Sequence, residues 1–106
     1  MKLLFDQGTP APLRRGLTAH IVKTAREMNW DELGNGDLLR AAEYTFDALV
    51  TTDQNLKYQQ NRSGRKLAIL VLPTTSWPRI ERHLAVVVQA IDNLSSGDFV
   101  ELQLPE

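Results

Sequence analysis

The chain contains no cysteine. That absence excludes disulfides, zinc–thiolate sites and cysteine nucleophiles together. No apolar run approaches the length of a membrane span. The opening Met1-Lys2-Leu3-Leu4-Phe5-Asp6 lacks the long apolar core and cleavage site of a signal peptide. The expectation is therefore a cytoplasmic protein with no membrane partner. Charge of one sign is also lacking. The 12 basic and 13 acidic side chains leave a net charge of −1, which gives no global electrostatic footprint for nucleic acid. There are no internal repeats and no low-complexity tail.

At 106 residues, with 42% hydrophobic and 24% charged residues, the chain is expected to form one domain over 1–106. A domain this small should bury one sheet with helices on it. The pattern alternates. Lys2 to Phe5 reads as a short buried strand. Gly8-Thr9-Pro10 reads as a turn into a helix that ends near Gly16, with Thr9 as N-cap and Pro10 at the first helical position. Ala19 to Val22 reads as a second strand, and Ala25 to Trp30 as a turn of helix. Leu33-Gly34-Asn35-Gly36 reads as a connector, Asp37 to Tyr44 as a helix capped by its first residue, and Ala48 to Thr52 as a strand.

A short polar helix ending near Gly64 is expected next. The continuous apolar run Leu67 to Leu72 has the pattern of a central strand covered on both faces. Ile80, Leu84, Val87, Val88, Ile91 and Leu94 recur along one helical stripe, with Ser76 as N-cap and Pro78 in the first turn. Phe99 to Leu104 alternates like an edge strand. Strands separated by helices predict an α/β three-layer sandwich with a mainly parallel central sheet.

Three aspartates fall where such a fold brings chain segments together. Asp6 ends the first strand, Asp53 follows Ala48-Leu49-Val50-Thr51-Thr52, and Asp37 opens a helix. The carboxyl ends of parallel strands share one edge, where ligands bind. Three carboxylates there would form an oxygen-rich pocket for a hard divalent cation. Lys57, Arg62, Arg65 and Lys66 crowd one short region, which predicts either a solvated face or a basic rim that contacts RNA phosphates. His20 and His83 have no partners at ligand spacing. Trp30 and Trp77 read as packing residues. Thr74 and Thr75 are expected either to line the crevice or to cap the next helix.

With these residues in place, the chain resembles a minimal PIN-like nuclease domain. More narrowly, it is similar to the short prokaryotic PIN-like proteins that act as toxin nucleases of toxin–antitoxin pairs. Three matches carry this: Leu3-Leu4-Phe5-Asp6, Asp37-Leu38-Leu39-Arg40-Ala41-Ala42, and Ala48-Leu49-Val50-Thr51-Thr52-Asp53-Gln54-Asn55-Leu56. The resemblance implies a ribonuclease dependent on Mg²⁺ or Mn²⁺, with Asp6, Asp37 and Asp53 as catalytic and metal-binding residues. It also implies RNA as substrate and a cognate antitoxin as partner.

The chain departs from the family where acids often stand. Asn55 follows Asp53 by two positions and Gln7 follows Asp6, so both are expected to serve as neutral oxygen donors, with Thr52 beside them. Glu27 and Glu32 lie in the interval where larger relatives carry a helix glutamate. A homodimer is expected from the outer face of the Ile80–Leu94 helix or the Phe99–Leu104 strand. Two other classes use the same geometry. One is a partner-binding module that has lost the chemistry. The other is a receiver-like phosphoacceptor built on Asp6, Asp53 and Thr74, although such a domain needs a lysine after its last strand and this chain ends Leu104-Pro105-Glu106.

Overall fold

Five short strands, all parallel, form one sheet in the order β2-β1-β3-β4-β5. They are β1 (Lys2–Phe5), β2 (Ile21–Thr24), β3 (Ala48–Thr51), β4 (Ala68–Val71) and β5 (Phe99–Glu101). The computed structural model describes residues 1–56 and 65–105, so the expected polar helix up to Gly64 falls mostly outside the described residues. The α/β expectation holds, and the sheet is parallel throughout.

Strand alternation sorts the core into two halves. Leu3, Phe5, Ala48, Val50, Ala68 and Leu70 face one side, where Leu13 and Leu17 cover them together with Ile80, Val87 and Ile91. Leu4, Leu49, Ile69 and Val71 face the other, against Leu38, Leu39, Ala42 and Phe46. The central strands β3 and β4 are buried along their whole length, as two covered faces require.

Several local elements differ from the sequence expectation, each for a physical reason. The segment after Pro10 is a 3₁₀ helix over Ala11–Gly16 with no side-chain cap. Thr9 does not cap it, because its hydroxyl is turned into the core toward Asp6 and Val50. The second strand starts at Ile21, two residues late, since His20 closes a turn onto the Leu17 carbonyl. Residues 25–29 form turns, with Asn29 in the left-handed region at φ 61°.

Helix α1 (Asn35–Thr45) begins two residues early. Gly34 is its extended N-cap and its carbonyl accepts the Leu38 N–H at 2.9 Å, which leaves Asp37 in the first turn rather than at the cap. The long stripe after β4 divides at His83 into α2 (Trp77–Arg82) and α3 (Leu84–Asp92). Ser76 caps α2 as expected, accepting the Arg79 N–H. Thr74 accepts the Ser76 N–H and so belongs to the turn before that cap. Among the described residues no helix is long and apolar enough to cross a membrane.

Candidate active site at the β1–β3 edge

Adjacent parallel strands β1 and β3 send their chains to opposite faces. After β1 the chain enters the 3₁₀ helix, and its Leu13 and the following Leu17 sit in one core half, whereas Leu56 after β3 sits in the other. In open α/β sheets such a divergence opens a crevice outside the carboxyl ends of the strands, and ligands bind there. Asp6 and Asp53 occupy it.

Asp6 continues the ladder by donating its N–H to the Val50 carbonyl at 3.2 Å. Its carboxylate takes the Thr51 hydroxyl at Oδ2 and lies 2.8 Å from the Thr9 hydroxyl at Oδ1. Both threonines are buried. Thr9 Oγ is also 2.9 Å from the Val50 carbonyl oxygen, so one hydroxyl proton serves two acceptors. Burial pushes the Asp6 carboxyl above its ordinary value, and the nearby Asp53 charge adds to the rise. The Thr51 and Thr9 hydroxyls and the Gly8 N–H oppose it.

Asp53 is held from both sides. Asn35, the first residue of α1, donates to Oδ2 at 2.8 Å, and the Asn55 backbone N–H donates to Oδ1 at 2.9 Å. The Asp53 N–H donates in turn to Thr51 Oγ at 3.1 Å. Thr51 thus donates to one acid and accepts from the backbone of the other.

Asp37 does not join them. Its carboxylate pairs with Arg40 on the helix surface, with 62% of the side chain exposed. Among the described residues, no three His, Cys, Asp or Glu side chains stand where they could share one ion. The acidic centre is a pair. Gln7 lines a hollow beside Asp6, Asn55 contributes its backbone N–H, and Thr52 packs against Gly8, where a Cβ would collide with its hydroxyl.

The basic cluster is placed elsewhere. Lys57 and Arg62 lie outside the described residues. Arg65 and Lys66 precede β4 and so sit at the amino edge, the opposite end of the sheet from Asp6 and Asp53. There Glu43 accepts the Lys66 and Leu67 N–H groups. Glu27 pairs with Arg14. That guanidinium, together with the Thr24 N–H, draws its carboxyl down to about 2. It is a salt-bridge residue, and Glu32 is exposed. His20 is nearly buried, with Nε2 2.6 Å from Asp92 Oδ1 at the end of α3.

Asn35, Thr9 and Thr51 join the candidate site although no motif in the sequence marks them. Asn35 stood inside an apparent Gly-Asn-Gly connector, and its position beside glycines was the one signal of a helix start. Comparison with protein-family models, with curated proteins and with solved structures finds no match to this chain.

Proposed function

We propose that this chain is a PIN-like, divalent-metal-dependent ribonuclease domain that hydrolyses RNA phosphodiesters where Asp6 and Asp53 meet. The observation that carries the reading is the placement of two neighbouring carboxylates, one of them half-buried, in the crevice between β1 and β3. Mg²⁺ and Mn²⁺ suit this donor set. Both are hard cations that prefer oxygen, and Mg²⁺ commonly takes one or two carboxylates and keeps several waters. The mutual repulsion that helps raise the Asp6 carboxyl is what a cation would relieve.

Asp6 and Asp53 would hold the ion. Bound there, it supplies a Lewis acid for the phosphate and lowers the pKa of water. The chain's own work is positioning. Thr51 and Thr9 orient Asp6, while Asn35 and the Asn55 N–H orient Asp53. In a cell, the reading makes the protein a cytoplasmic toxin. Its antitoxin would place an arginine across the acid pair in two-point geometry.

The test is cleavage of single-stranded RNA with Mn²⁺ by wild type and by Asp53→Asn. Cation-dependent cleavage lost in the variant supports the reading, and equal cleavage by both proteins overturns it. Expression of the chain alone should arrest growth, and co-expression of an antitoxin from a neighbouring reading frame should relieve it.

The sheet order favours a second reading, since β2-β1-β3-β4-β5 is also the order of flavodoxin-like and receiver domains. A receiver-like phosphoacceptor needs a lysine after β5. The sequence has none beyond Lys66, which leaves a phosphoryl group on Asp53 without its ammonium partner.

A further inference from the structure

Beside Asp6 the crevice continues into a hollow of about 150 Å³. Trp30, Leu33 and Leu38 are its large apolar lining, and Gln7, Asp31 and Asn35 join Asp6 as polar lining. Trp30 is half-buried and stands edge-on to Phe46, with ring centroids 5.9 Å apart at 82°. Leu33 is 38% exposed. The hollow therefore combines an aromatic surface with hydrogen-bonding groups next to the acid pair.

We propose that this hollow takes one unpaired nucleobase of a single-stranded nucleic acid. The inference rests on the nuclease reading and deepens it by naming the part of the single strand that the hollow holds. Two carboxylates in the lining repel phosphate, so the sugar–phosphate chain stays outside and the uncharged base enters. Stacking on an indole tolerates any base, because every base has a π-face. Carboxylates accept from exocyclic amino groups, as aspartate does from the amino group of cytosine. A base inside a duplex is stacked and paired and presents neither its face nor its pairing edge.

The chain has two tryptophans, and Trp77 packs in the opposite core half. Trp77→Phe therefore leaves Trp30 as the one emitter. This protein is titrated, with cation removed by EDTA, against a six-cytidine RNA, its DNA counterpart and an abasic strand of equal length and charge. Both cytidine strands should change Trp30 emission saturably, and should bind at least about tenfold more tightly than the abasic strand, as one stacked base implies. Anisotropy of labelled strands should show about tenfold weaker binding by Trp30→Leu, and binding close to wild type by Trp30→Phe.

Equal binding of cytidine and abasic strands overturns the pocket. Because that comparison uses the protein with Trp30 intact, misfolding of a Trp30 variant does not bear on it. If wild type still cleaves RNA with Mn²⁺, the nuclease reading survives that failure. Base-dependent binding without any cleavage keeps the pocket and removes the nuclease. No binding of any strand and no cleavage removes both.

Discussion

The hydroxyl of Thr51 donates to the carboxylate of Asp6 from the neighbouring strand, 45 residues away in the chain. Thr51 is only 1% exposed, and its oxygen also accepts the Asp53 N–H. Removing it leaves a half-buried carboxylate oxygen and a backbone donor without their partner. Thr51→Val, which keeps the branched shape, should lower unfolding free energy by about 1–3 kcal/mol. Thr51→Ser should lose much less. Urea denaturation of the three proteins measures this, and equal midpoints for Val and wild type would remove the hydroxyl from the account.

The raised Asp6 carboxyl gives stability a pH dependence of known sign. The folded state holds the Asp6 proton more tightly than the unfolded chain, whose value is near 3.8. The stabilisation tied to that proton is complete below pH 3.8 and is lost as pH rises through the folded value. Asp6→Asn keeps the shape of the side chain and one acceptor oxygen for the threonine hydroxyls, and removes the half-buried charge. It should melt higher than wild type at pH 7, lose that advantage below pH 3.8, and lose RNA cleavage. Mn²⁺ should stabilise wild type by mass action and leave Asp6→Asn nearly unmoved. A variant less stable than wild type at pH 7 would contradict the burial penalty.

Asn35 and Asp37 trade the roles their chemistry suggests. Asp37→Asn removes an exposed i,i+3 pair, a type of contact worth under about 1 kcal/mol, and should leave cleavage unchanged. Asn35→Ala frees Asp53 Oδ2 and should lower kcat about tenfold, the lower range for loss of a group that orients a ligand. Steady-state kinetics on both variants decides this. A severe loss in Asp37→Asn with normal Asn35→Ala would restore the three-aspartate site.

Gly97 has φ +82°, and a Cβ there would stand 3.1 Å from the Arg65 carbonyl oxygen. Its N–H donates to the Lys66 carbonyl at 2.8 Å, tying the turn before β5 to the start of β4. Gly97→Ala should cost about 1–2 kcal/mol from the left-handed backbone and leave cleavage per folded molecule intact. Thermal melting and kinetics separate the two effects.

Much of this protein is legible in local pattern. Apolar runs placed β1, β3 and β4 within a residue or two, because a strand covered on both faces reads as a continuous apolar run in the chain alone. Asp6 and Asp53 stood out for the same reason, since each directly follows a buried strand. The third member of the site was not legible. An α-helix turns 3.6 residues per cycle, so moving the start of α1 from Asp37 to Asn35 rotates the presented face by more than half a turn. That carries Asn35 to Asp53 and Asp37 to solvent.

Thr9 looked like a helix cap, and only the approach of β3 made its hydroxyl a partner of Asp6 and Val50. The basic run around residues 57–66 is contiguous in sequence, yet the direction of β4 puts Arg65 and Lys66 at the edge away from the acids. Strand positions and the two aspartates follow from short-range hydrophobic order, which the sequence by itself determines. Which polar groups meet them depends on helix phase and strand direction, and those are set only when the two core halves close on the sheet.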